Sequence, residues 1–142
     1  MPKPCILIVE DEALTVFALK RELSSLGYDV VGTADNAADA MRIADTLRPD
    51  LVVMDIHLAG PLSGIVAAVA IRGLLHIPVL FLTAHADDET MTNAIHAGAF
   101  AYILKPYTVA SLKAAIGTAL HKHRTEVEMR RFPLATTLTS LR

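Results

Sequence analysis

Five short apolar runs alternate along the chain with stretches of helical period, and four of the runs stop abruptly at a polar residue. Cys5 to Val9 is a continuous apolar run and reads as a strand buried on both faces. Ala13 to Leu26 carries Leu14, Phe17, Ala18, Leu23 and Leu26 at roughly helical spacing, with Gly27 as the expected stop. Tyr28 to Ala34 alternates but holds Asp29, Gly32 and Thr33, which predicts a weaker strand at a sheet edge. Asp35 or Asn36 is placed to cap a helix whose Ala40, Ile43, Ala44 and Leu47 face inward until Pro49 ends it. Leu51 to Asp55 is a third strand, and the glycine-bearing loop from His57 to Ser63 leads into a helix over 64–75. Pro78 to Leu82 is a fourth strand, Asp88 to Ala97 a helix stopped by Gly98, Phe100 to Leu104 a fifth strand, and Val109 opens the last helix. Such alternation is the pattern of an α/β domain with a parallel sheet and right-handed crossovers.

The polar ends now acquire positions. Glu10 and Asp11 follow the first strand, Asp55 closes the third, Thr83 follows the fourth and Lys105 follows the fifth. Their separations match one or two strand-plus-helix units of about 20 to 30 residues each, so all lie at the carboxyl ends of parallel strands, on one sheet edge. Doubly wound folds bind ligands at that edge. With the weaker second strand outermost, the first and third strands are neighbours and three carboxylates converge. Like charges in one place repel unless a cation sits among them. An all-oxygen donor set with few protein groups suits Mg²⁺, with Mn²⁺ as a substitute, better than zinc or calcium. Asp55 beside such an ion, with an ammonium and a hydroxyl aimed at the same point, is equipped to accept a phosphoryl group as an acyl phosphate. Singly, each residue has an ordinary explanation: helix-start acids, a strand-ending threonine, a loop lysine before Pro106. Their coincidence at the calculated spacing is what favours phosphoryl chemistry.

Composition narrows the classes further. A chain of 142 residues, 53% apolar, makes one domain with a substantial core. A net charge of −2 with both signs interspersed supplies no basic field for nucleic acid. The single cysteine, Cys5, lies inside the first run; no internal disulfide or thiolate cluster can form, and a reducing, cytoplasmic setting is expected. The Met-Pro-Lys-Pro start is too short for a signal sequence. The apolar tract from Gly64 to Ala84 is interrupted by Arg72, Gly73, His76 and Pro78, so it reads as helix then strand and not as a membrane span.

ILIVEDE (6–12), VVMDIHLAG (52–60), FLTAHAD (81–87) and AYILKPY (101–107) resemble the receiver domain of two-component response regulators, over about residues 4–123. The resemblance implies a flavodoxin-like, doubly wound sheet of five parallel strands in the order 2-1-3-4-5 with five helices. It implies Glu10 and Asp11 as the metal-binding pair, Asp55 as phosphoacceptor and third ligand, and the His57 backbone carbonyl as the last protein ligand. Thr83 and Lys105 match the phosphoryl-binding hydroxyl and lysine, and Ala84, His85 and Pro106 form the rim, the bond to Pro106 often being cis. Tyr102 matches an aromatic position that turns inward as Thr83 moves toward the phosphoryl group, carrying the signal to the surface of helix 4, strand 5 and helix 5. The donor is expected to be a histidine kinase or phosphotransfer protein, and the domain a phosphorylation switch more than an enzyme, with at most slow self-dephosphorylation. His57 and His85 flank the site and are expected to influence phosphoryl loss.

Two departures and two alternatives complete the reading. Helix 64–75 has Arg72 as its only charge, so one apolar face is either exposed to a partner or second copy, or made harmless by small alanines. Leu112, Ile116, Leu120, His123 and Val127 form a stripe on the last helix that suggests a linker able to pair with a copy of itself. Residues 1–123 are thus the expected receiver and 124–142 a helical extension whose final segment resembles the opening of a sensory PAS domain, so a downstream sensor or output module is expected; the alternative is a complete single-domain receiver with a disordered tail. The competing classes are a pseudo-receiver that only docks and a phosphatase with an aspartyl nucleophile. The latter generally needs a second acid where His57 stands.

Overall fold

A computed structural model describes residues 2–60, 62–84 and 87–131, with Arg131 described by its backbone alone. Its elements are β1 (Cys5–Val9), α1 (Ala13–Ser25), β2 (Asp29–Ala34), α2 (Ala37–Leu47), β3 (Leu51–Met54), α3 (Gly64–Ala70) continued by a π-helical turn (Ile71–Leu75), β4 (Val79–Thr83), α4 (Asp88–His96), β5 (Ala101–Leu104) and α5 (Val109–Arg131). The strands form one sheet in the order β2-β1-β3-β4-β5, every neighbouring pair parallel.

The unbroken apolar runs follow from this layering. Leu7, Val9, Val52, Met54, Val79 and Phe81 point to the face covered by α2, α3 and α4. Ile6, Ile8, Leu51, Val53, Leu80 and Leu82 point to the other, under α1 and α5. Each such side chain contributes about 2 kcal/mol when removed from water, so the three central strands anchor the fold and fix the edge that carries the polar residues. β2 has one neighbour only, as its mixed sequence predicted. Of the two candidate caps for α2 it is Asn36 that serves, its side chain accepting the Asp39 N–H at 2.9 Å, and Arg48 ends the helix at φ 47.

Three periodicity readings are corrected by the packing. On α1 the C-terminal part of the expected stripe holds, Leu23 being buried and Leu26 packed beside it, but Leu14 is 84% and Phe17 60% exposed and Leu19 joins Leu23 against the sheet instead. On α2, Leu47 is also exposed. On α5, Leu112, Ile116 and Ala119 are buried against β4 and β5, so the stripe read as a pairing surface belongs largely to the domain's own core. For α3, alanine accounts only for the inward side, through Ala67 and Ala68. Val66, Val69 and Leu74 stay exposed outside.

The lone charge of that helix, Arg72, turns to the basal edge. Its guanidinium lies 4.1 Å from the Phe100 ring centroid, donates from Nε to the Gly98 carbonyl at 3.0 Å and pairs with Glu126 of α5 at 3.4 Å. The His123 ring also meets Phe100, tilted with centroids 6.1 Å apart, and its buried Nδ1 has no partner among the described residues. Burial lowers the His123 pKa, and Arg72 and Arg130 add to this against the opposing pull of Glu126 and Asp50. A depressed histidine is neutral in the fold and takes up a proton on unfolding. Its contribution is therefore complete above the ordinary histidine pKa and is lost as pH falls through the folded value. Denaturation midpoints at pH 7.5 and 5.5 are expected to converge in His123→Gln relative to the parent; an unchanged gap would show that this imidazole does not set the acid slope.

Candidate phosphoacceptor site

β1 and β3 lie side by side, and the ladder bonds continue one residue past each strand: Glu10 N–H donates to the Ala34 carbonyl and Asp55 N–H to that of Val9, both at 2.9 Å. These bonds set Glu10, Asp11 and Asp55 at one corner of the sheet edge, where one carboxylate oxygen from each lies within 4.8 Å of the others. Glu10 and Asp55 are buried and Asp11 is exposed. Lys105, delivered by the end of β5, spans the pair, with Nζ 3.0 Å from Glu10 Oε2 and 3.5 Å from Asp55 Oδ2.

The electrostatics follow from burial and proximity. Burial pushes the Glu10 carboxyl above its usual range and the Asp55 charge adds to this, while Lys105 and the Glu12 N–H oppose it without cancelling it. For Lys105, burial alone would lower the ammonium, but its bond to Glu10 and the charges of Asp55 and Glu10 outweigh that and hold it above the ordinary lysine range. One ammonium for three carboxylates leaves a negative corner. It opens on a cleft of about 430 Å³ lined by Glu10, Asp11, Thr33, Asp35 and Asp39. A small divalent cation fits this donor set: all-oxygen, partly exposed through Asp11, with room for water, the preference of Mg²⁺.

Asp55 sits just past β3, where its Oδ1 also accepts the His57 N–H at 3.1 Å. Thr83 is the final residue of β4 and fully buried; its carbonyl accepts the Lys105 N–H at 2.8 Å. Ala84 follows it, exposed, and the Lys105–Pro106 bond is cis. Tyr102 is half-buried on β5 opposite Phe81, its phenol pushed up by burial and by the Asp87 charge. His85 lies outside the described residues, as does everything after Arg131.

Two residues near the corner escaped the sequence reading. Gly64 opens α3 with its N–H on the Ile56 carbonyl at 2.8 Å, so close that a Cβ would lie 2.1 Å from the Asp55 carbonyl oxygen. The only hint was a glycine at a helix start. Tyr107, two residues beyond Lys105, donates its hydroxyl to Glu22 of α1 at 2.7 Å. No local pattern links positions so far apart in sequence.

The fold and this corner define a doubly wound α/β domain with a metal-competent acid cluster faced by a lysine. The family model for the response regulator receiver domain matches residues 6–117, and the chain belongs to that family. It is similar to the transcriptional regulatory protein PdtaR of Mycobacterium tuberculosis, 37% identical over 119 residues that make up 84% of this chain and 58% of that protein. KdpE of the same organism is 33% identical over 124 residues, covering 87% of this chain and 54% of that protein. The chain thus spans little more than half the length of these relatives. Among solved structures, the signal receiver domain of a modulated diguanylate cyclase from Desulfovibrio desulfuricans G20 superposes with a TM-score of 0.82 at 40% identity, covering 87% of this chain and 98% of that one. Among the described residues no helix is long and apolar enough to cross a membrane.

Proposed function

We propose that the domain accepts a phosphoryl group on Asp55 from a phosphohistidine of a kinase or phosphotransfer protein and so switches a downstream module or partner. The observation that carries this is the meeting of Glu10, Asp11 and Asp55 within 4.8 Å under the Lys105 ammonium. In the transfer an Asp55 carboxylate oxygen attacks phosphorus, the phosphorus–nitrogen bond of the donor breaks, and the leaving imidazole keeps the electron pair and gains a proton. Glu10, Asp11, Asp55 and the His57 carbonyl would hold Mg²⁺, which would supply charge neutralisation for the transferring group. Lys105 balances the charge on the other side. Without such balance the acids would repel an anionic donor.

Thr83 and Tyr102 supply the readout: the threonine hydroxyl moves toward the new phosphoryl oxygens, and the aromatic side chain follows, changing the α4-β5-α5 surface. Ala84, His85 and Pro106 form the rim. Leu14 and Phe17, exposed on α1, the helix that follows Glu10 and Asp11 in the chain, give a donor protein an apolar surface. Residues 1–123 are the receiver and 124–142 lead toward a sensor or output module. Pairing of two copies through the exposed side of α3 is compatible with this role.

Incubation with Mg²⁺ and a small acyl phosphate is expected to add the mass of one phosphoryl group, and a chelator to prevent the gain. A protein that binds no Mg²⁺ and never gains mass would instead fit a docking module that is not phosphorylated. Turnover of a generic phosphate ester would favour the phosphatase reading.

A further inference from the structure

We propose that Tyr107 is a positioning residue for Lys105, acting through the bond from its hydroxyl to Glu22. The inference rests on the phosphoacceptor reading above and adds to it a residue pair remote from the acids.

Lys105 divides its ammonium between Glu10, the nearer partner at 3.0 Å, and Asp55 at 3.5 Å. Once Glu10 turns to a cation, the ammonium loses that nearer partner. What then keeps it at Asp55 is the placement of its own backbone, because a lysine side chain left to itself regains about 2 kcal/mol of rotamer freedom. Upstream, the backbone is fixed by the Lys105 N–H bond to the Thr83 carbonyl at 2.8 Å. Downstream, the first fixed point is Tyr107. Its ring packs among the residues under α1 and α5, and its hydroxyl reaches Glu22 Oε2 at 2.7 Å.

The contact is built to persist. A phenol donating to a carboxylate makes a short, charge-assisted bond. Burial, with the Glu22 bond and charge behind it, raises the Tyr107 pKa well above the ordinary tyrosine range, so the hydroxyl keeps its proton and donates at neutral pH. Immediately afterwards Thr108 and Ser111 exchange reciprocal bonds, the Thr108 N–H to Ser111 Oγ at 3.1 Å and the Ser111 N–H to Thr108 Oγ1 at 3.0 Å, which fixes the start of α5. The segment from 105 to 108 is therefore held at both ends and by Tyr107 in between. Glu22 lies on the helix that begins two residues after Asp11. The bond thus ties the segment bearing the lysine to the helix that follows the acids, across the sheet face and away from the reacting atoms.

The test uses Tyr107→Phe, Glu22→Ala and Glu22→Gln in the full chain. Phosphorylation by acetyl phosphate at saturating Mg²⁺ is followed by mass, Mg²⁺ affinity by calorimetry, and the Lys105 side chain by NMR of labelled lysine at saturating Mg²⁺. Tyr107→Phe and Glu22→Ala are expected to slow phosphorylation about five- to tenfold, with Mg²⁺ affinity within about twofold of the parent because no ligand is touched. Glu22→Gln, which keeps an acceptor, is expected to recover most of the rate, and Tyr107→Phe combined with Glu22→Ala to be no slower than either alone. In the Mg²⁺-saturated variants the Lys105 signal moves toward that of an exposed lysine. Parental rates in both single variants would overturn the proposal, as would a slowing that vanishes when each variant is assayed equally far below its own melting temperature. If the parent itself takes no phosphoryl group, the reading of the site fails, and the Lys105 signal at saturating Mg²⁺ alone decides: unchanged in Tyr107→Phe, it ends the proposal too.

Discussion

Asp55→Asn is expected to abolish phosphorylation while leaving the fold intact. A carboxamide oxygen is too weak a nucleophile to displace the donor's leaving group, and the loss of one carboxylate also weakens cation binding at the corner. Little else changes. The Asn side chain has the same shape, its oxygen still accepts the His57 N–H now 3.1 Å from Asp55 Oδ1, and Lys105 retains Glu10 at 3.0 Å. Removing one of three crowded like charges stabilises the metal-free protein if it does anything. Mass measurement after incubation with Mg²⁺ and an acyl phosphate, beside a thermal melt, checks both halves. A variant that gains the same mass as the parent would mean that another side chain is the acceptor.

Gly64→Ala has the largest expected effect on stability. The new Cβ would stand 2.1 Å from the Asp55 carbonyl oxygen and 3.0 Å from Ile56 Cα, and both neighbours are backbone, with no flexible side chain that could yield. Relief requires moving either the start of α3 or the end of β3. A loss of about 3 kcal/mol is expected, near the upper end for overpacking, or roughly 10 °C in melting temperature for a domain of this size. Because the displaced backbone is that of Asp55 itself, Mg²⁺ affinity and phosphorylation are expected to fall along with stability. Gly117→Ala serves as the control. It is exposed within α5 with nothing within 4 Å of its added Cβ, and gains up to about 1 kcal/mol from helix propensity. Equal melting temperatures for Gly64→Ala and the parent would show that the close approach at β3 is not needed.

Most of the architecture could be read from local pattern because its causes are local. A strand covered on both faces must be apolar at every position, and that produced the unbroken runs from Cys5, Leu51 and Val79. Helix faces were less legible. A helix that tolerates exposed apolar residues gives a spacing signal that several stripes satisfy, and only the position of the sheet shows that α1 sets Leu19 beside the expected Leu23 and leaves Leu14 and Phe17 outside. On α5 the same ambiguity made a core stripe resemble a pairing surface.

Chain order and hydrophobic period by themselves determined the alternation of strand and helix, and with it the common edge on which Glu10, Asp11, Asp55, Thr83 and Lys105 stand, since covalent spacing sets which end of a parallel strand a residue occupies. Distances across that edge were decided by tertiary structure alone. The sharing of Lys105 between Glu10 and Asp55, the closeness of Gly64 to the Asp55 backbone and the reach of Tyr107 to Glu22 each join segments far apart in sequence. Their geometry depends on how strands twist and helices pack, which no local window of residues encodes.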